Sequence, residues 1–165
     1  MIEKVGPSVM VTEMNDIYAS FDRIGEQFGS ERIKTVGDAY VSICGLPEAA
    51  DNHLEAAANS ALRFLRYLKR RNDNHDHQWS CRIAVASGGV VGSVVGIQRY
   101  VYDVFGPAVN LSQHLREQAA PMEIVCCEAD RATLVPVFNM TEIGPREITG
   151  FGEMVLHRLE NDNQH

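Results

Sequence analysis

The sequence predicts an α+β or α/β sandwich of the ferredoxin-like kind, a mixed sheet with helices on one face. Three observations carry that expectation. Amphipathic helical stretches at 7–28 and 53–71 alternate with short apolar, β-branched runs. Two of those runs, 32–36 and 39–44, are joined by Gly37-Asp38, a hairpin-turn signal. Another run, 99–105, breaks at Phe105-Gly106-Pro107 and leads into a third helix at 107–118.

In the first helix Met10, Met14, Ile17, Phe21, Ile24 and Phe28 recur at steps of three and four. Pro7 suits its first turn and Gly29 its stop. Gly45-Leu46-Pro47 ends the hairpin's second strand. In the second helix Leu54, Ala57, Ala58, Ala61, Leu62, Leu65 and Leu68 form the buried stripe. The cluster Lys69-Arg70-Arg71 complements its C-terminal dipole and reads as a helix end in water rather than an anion site. A strand is expected at 80–86, a turn and strand at 90–95, and a strand at 123–127. A short helix at 128–134 and strands near 137–142 and 154–159 follow. The domain spans 1–160, with 161–165 a frayed tail.

Composition narrows the function. Hydrophobic residues make up 45% and charged residues 22%, the mix of an ordinary soluble domain. The net charge of −7 argues against binding a nucleic-acid backbone, which needs a basic footprint. No apolar stretch is long enough to span a membrane, and MIEKVGPS lacks a signal-peptide core, so the cytoplasm is expected. Cys44, Cys81, Cys126 and Cys127 show no CxxC spacing and read as reduced thiols. His75 and His77 lie in a polar run, RRNDNHDHQ, that reads as a solvated loop.

The segment RYVYDVFGPAVNLSQHLR, 99–116, is the richest in chemistry. Asp103 stands late in the strand. Asn110 and His114, four residues apart, stack on one face of the following helix. An acid at a strand end facing polar helical side chains suits a polar ligand. At the hairpin tip Asp38 can project beyond the sheet edge, although an aspartate there also simply suits the turn. Alternation assigns Ile33, Thr35 and Gly37 to one side of the hairpin, Lys34 and Val36 to the other.

Three blocks, in order, resemble the catalytic domain of the class III adenylyl and guanylyl cyclases. They are Ile33-Lys34-Thr35-Val36-Gly37-Asp38-Ala39-Tyr40 with Gly45-Leu46-Pro47, then Arg82 to Gly88 with Val90-Val91-Gly92, then Tyr102-Asp103-Val104-Phe105-Gly106 with Val109-Asn110. Their spacing agrees over about residues 5–160. The resemblance implies an α+β, ferredoxin-like (βαββαβ-type) fold. It also implies attack of a ribose 3′-hydroxyl on the α-phosphorus of its own triphosphate, expelling pyrophosphate. In such domains two carboxylates hold two Mg²⁺ or Mn²⁺ ions, and Asp38 matches one of them. Lys34 and Asp103 match the positions that read the purine. Lysine donates and aspartate accepts, which complements adenine N1 and its 6-amino group, so ATP is the implied substrate. Asn110 matches a residue that orients the ribose. Active sites of this family lie between two subunits, so a homodimer is implied.

Three departures qualify the resemblance. The family opens with a strand bearing the other metal carboxylate, whereas this sequence begins inside the next helix. The expectation is that further residues of the natural protein, or another chain, supply that strand. His114 stands where the family has a transition-state arginine, and imidazole cannot form a guanidinium's bidentate fork. The late lysine that contacts phosphate falls within Ile148-Thr149-Gly150-Phe151-Gly152, where there is none. Two readings follow: an adenylyl cyclase domain with altered transition-state groups, or a cyclase-like module for nucleotide binding, dimerisation or regulation.

Overall fold

The computed structural model describes residues 6–36, 39–44, 53–87, 91–95, 101–105 and 107–162. At 34, 36, 44, 53, 91–95, 101–105, 107–109, 161 and 162 it describes the backbone alone.

Helix α1, Pro7–Gln27, opens with Pro7 behind an extended Gly6 and buries Ile17, Tyr18 and Phe21 on one stripe. Gly29, at φ 74°, takes the left-handed conformation that ends the helix without a Cβ clash. Strands β1, Ser30–Val36, and β2, Ala39–Cys44, form the expected antiparallel hairpin. The expected strict alternation breaks at Ile33. Arg32 pairs with Ser42 and Lys34 with Val41, so Ile33 is the extra residue of a bulge.

Helix α2, His53–Asn74, runs three residues past its expected end, through the basic cluster. Strand β3, Arg82–Ala84, is shorter than expected. Strands β4, Val91–Val95, and β5, Val101–Phe105, pair antiparallel, with Ser93 opposite Asp103. Helix α3, Pro107–Glu117, strand β6, Glu123–Cys127, and helix α4, Glu128–Leu134, follow. Strands β7, Phe138–Ile148, and β8, Gly152–Asp162, form the longest ribbon. The strand expected near 137–142 runs on through Gly144-Pro145 to Ile148. Gly144 sits at φ 115° in a register shift, and β7 is an edge strand, where a proline's missing N–H costs little. Strand β8 also continues to Asp162, two residues into the expected tail.

Among the described residues the strands form three sheets: β1-β2, β4-β5 and a mixed β3-β6-β8-β7, in which β3 and β6 run parallel. The expected α+β class with a mixed sheet is observed. Helix cover on one face is only part of the arrangement. Strand β6 is buried on both faces, as its unbroken apolar run IVCC requires. Ile124 and Cys126 pack with Ala58, Leu62 and Leu65 of α2 and with Leu134 of α4. Val125 and Cys127 pack with Leu111 and Leu115 of α3. The free thiols of Cys81, Cys126 and Cys127 agree with the sequence reading. Burial pushes Cys126 up to about 12 and Cys81 to about 11, so both stay protonated at neutral pH.

A third cluster joins α1 and α2 to both the β1-β2 hairpin and β3. Phe21 stacks on Phe64 with ring centroids 4.3 Å apart, and Tyr40 of β2 meets both rings edge-on. Ile83 of β3 packs against the same group. The Tyr40 ring is therefore one point at which the hairpin docks on the helices.

Candidate active site

Strand β1, which carries Lys34, and strand β5, which carries Asp103, approach within 8 Å Cα to Cα. Helix α3 begins two residues after β5 and packs beside it. The topology thus brings the elements bearing Lys34, Asp103, Asn110 and His114 to one region. Lys34 and Asp103 are described by their backbones alone, and Asp38 lies outside the described residues. Asn110 is exposed in the first turns of α3.

His114 is half-buried. Its Nδ1 is enclosed without a hydrogen-bond partner among the described residues, and Glu117 Oε2 stands 3.9 Å away, beyond hydrogen-bond range. The His114 ring lies 6.4 Å from that of Phe151, in the β7–β8 turn. That turn is where the family's lysine would fall. The two departures noted in the sequence therefore meet at one place, a contact between residues 37 positions apart that spacing alone does not show.

The structure also reveals a support that the sequence reading missed. Tyr40 Oη donates to Asp22 Oδ1 at 2.7 Å, and Asp22 Oδ2 accepts an ion pair from Arg32 at 3.2 Å. Arg32 in turn lies 5.8 Å over the Tyr40 ring. Burial, then the hydrogen bond to Asp22 and its negative charge, push the Tyr40 phenol well above its ordinary range, with Arg32 opposing. A raised phenol value leaves this contribution intact at neutral pH and loses it only as strongly alkaline solution ionises the ring. The network pins α1 to both strands of the hairpin that carries Lys34 and Asp38. Its only sequence signal is a tyrosine two residues beyond the turn. Tyr40→Phe keeps the ring and removes the hydroxyl. It should cost about 1 kcal/mol, seen as a lower urea midpoint at unchanged slope. An unchanged midpoint would show that the bond does not hold the hairpin.

A second anchor joins β3 to α4. The buried Asp130 accepts from the Ser87 backbone N–H at 3.2 Å and from its hydroxyl, and lies 3.6 Å from the Cys127 thiol. It fixes the chain as it leaves β3 within the Arg82 to Gly88 block.

Among the described residues no three histidine, cysteine, aspartate or glutamate side chains cluster to hold a metal ion. The carboxylate of Asp38 is the donor type that Mg²⁺ and Mn²⁺ prefer. One carboxylate suits one ligand position and does not complete a site. Among the described residues no helix is long and apolar enough to cross a membrane.

The adenylate and guanylate cyclase catalytic domain family matches residues 1–161, and the chain belongs to that family. Its relatives are of both types. An adenylate cyclase of Mycobacterium tuberculosis (strain ATCC 25618 / H37Rv) is 30% identical over 148 residues, 90% of this chain and 33% of that protein. The receptor-type guanylate cyclase gcy-28 of Caenorhabditis elegans is 36% identical over 121 residues, 72% of this chain and 9% of its own length. The chain thus spans a third or less of these relatives. Among solved structures, the guanylate cyclase domain of RhGC from Catenaria anguillulae, in complex with GTP, superposes with a TM-score of 0.90 at 22% identity, covering 97% of this chain and 88% of that one. The adenylyl cyclase CyaB from P. aeruginosa gives 0.83 at 17% identity, covering 98% and 87%. At these identities the likeness is one of fold.

Proposed function

We propose that this chain is an adenylyl-type cyclase domain that converts ATP to cyclic AMP and pyrophosphate. The observation that supports the reading is the approach within 8 Å, Cα to Cα, of β1 and β5, the strands to which Lys34 and Asp103 belong. A lysine donor and an aspartate acceptor complement adenine, whereas guanine presents the opposite pattern. A mismatch leaves buried polar groups unpaired, at about 1–3 kcal/mol per group. Asn110, exposed on the adjoining helix, is proposed to orient the ribose.

Asp38 is proposed to contribute one ligand to Mg²⁺ or Mn²⁺. Such an ion, when bound, lowers the pKa of the attacking hydroxyl and neutralises phosphate charge. A homodimer is proposed, with Lys34, Asp103 and Asn110 of one subunit facing Asp38 of its partner.

The alternative reading is a cyclase-like module that binds nucleotide or a partner and turns over poorly. His114 and the Phe151 turn favour it, because both stand where cations are expected and neither supplies a guanidinium or ammonium. One assay separates the readings. The full-length protein, incubated with Mn²⁺ and either ATP or GTP, should form cyclic AMP in clear excess over cyclic GMP. No product from either nucleotide refutes the enzyme. Excess cyclic GMP refutes the purine argument alone.

A further inference from the structure

Arg71 is the most deeply buried arginine or lysine among the described residues. Its side chain is only 6% exposed, although the sequence places it at a helix end that reads as solvated. One guanidinium nitrogen donates to Glu13 Oε1 at 3.1 Å. A second guanidinium nitrogen, Nη1, is enclosed and has no acceptor among the described residues. Glu13 also accepts from His77 Nδ1 at 2.7 Å and from the Trp79 side chain, so its charge is shared among three donors. Burial pushes the Glu13 carboxyl up, but the hydrogen bonds from His77 and Arg71 outweigh it and hold that carboxyl below its ordinary value. His77 is thus no merely solvated loop residue.

Arg71 lines a shallow, solvent-open cavity of about 500 Å³ between α1 and the end of α2. Arg23 of α1, Arg70 of α2 and His75 line the same cavity, with the Tyr67 ring as an apolar wall and Asp16 as the one acid. Capping the helix does not account for these arginines, because other side chains already satisfy the terminal carbonyls. Asn74 Nδ2 donates to the Arg70 carbonyl at 2.9 Å, and Gln78 Nε2 to that of Asn72 at 2.7 Å. His75 Nδ1 lies 2.9 Å from the Arg71 carbonyl. Three guanidiniums around one cavity also run against the overall charge of −7. A local positive field on an acidic surface draws small anions to that spot. The Arg71 side chain lines the cavity while its Nη1 is buried with no acceptor among the described residues, and the planar arginine fork matches phosphate oxygens.

We infer that the cavity between α1 and the end of α2 binds a phosphate-bearing small molecule, with Arg71 as the buried anchor and Arg23 and Arg70 as outer ligands. The site uses none of Lys34, Asp38, Asp103, Asn110 or His114, and the inference stands apart from the proposed cyclase chemistry.

Calorimetric titration of the full chain, at constant ionic strength balanced with chloride, tests it. Inorganic phosphate and pyrophosphate are run as separate arms, to distinguish a free phosphate site from one built for a larger ester or anhydride. Trp79, the single tryptophan, exchanges hydrogen bonds with Asn72 beside Arg71 and gives a local fluorescence signal. At least one arm should show saturable binding at about 1 mM or tighter. That binding should weaken about tenfold in Arg70→Gln and in Arg23→Gln, both surface changes, and also in Arg71→Lys, which keeps the charge but loses the fork. No saturable binding in either arm overturns the inference. So does binding that all three variants leave unchanged, which would place the anion elsewhere.

Discussion

Asp38→Ala should abolish metal-dependent cyclic nucleotide formation, a fall of at least about 100-fold with Mn²⁺ as the activating ion. Val36 and Ala39 pair with each other, and Gly37-Asp38 is the sequence that joins them. An aspartate there has two candidate roles, and a second variant separates them. Asparagine suits such a turn as well as aspartate does, but it is a neutral and weaker ligand for a hard cation. Asp38→Asn should therefore keep the thermal midpoint of the parent and still lose activity. If Asp38→Asn folds and retains activity, the residue serves the turn alone and the metal assignment falls. If Asp38→Ala retains activity, the metal lies elsewhere.

Much of this fold is written in local pattern. The stripes of α1 and α2 have helical period, and β6 and α4 fall where the apolar run IVCC meets the helix-forming EADRATL. Period alone does not reveal pairing partners. Ile33 looks like one more residue of an alternating strand, and only its opposition to β2 exposes the bulge. The strand expected near 137–142 runs on through Pro145, because propensity says nothing of edge position, and in β7 the edge makes proline harmless. Helix cover on both faces of β6 likewise depends on which clusters its two faces enter.

The candidate site divides in the same way. Lys34, Asp38, Asp103 and Asn110 stand within contiguous blocks and could be picked out by motif. The supports could not, because each is a long-range pair of ordinary residues. Asp22 and Tyr40 are 18 positions apart, Ser87 and Asp130 are 43 apart, and Glu13 and Arg71 are 58 apart. Arg71 shows the cost most clearly. A basic triplet at a helix end is normally a solvated cap, and burial against α1 is a tertiary fact with no sequence signature.

His114→Arg should raise the rate of cyclic AMP formation about 30- to 1,000-fold, because a phosphate-facing cation in such a site is worth about 2–4 kcal/mol. The environment of His114 sharpens the test. Its Nδ1 has no partner among the described residues, so replacement sacrifices no hydrogen bond to them. Glu117, three residues on, stands 3.9 Å from that nitrogen and can capture a longer guanidinium as a surface ion pair. Such a pair is weak, at about 0.2–0.5 kcal/mol on a helix, and it cannot hide the whole gain. His114→Arg combined with Glu117→Gln removes the competitor and should match or exceed the single variant. The Phe151 ring beside His114 offers the guanidinium a face on which to rest, which helps to order it toward the site. A rate that stays level or falls in both variants would show that this helix position does not face the phosphates, and would turn the balance toward a cyclase-like module.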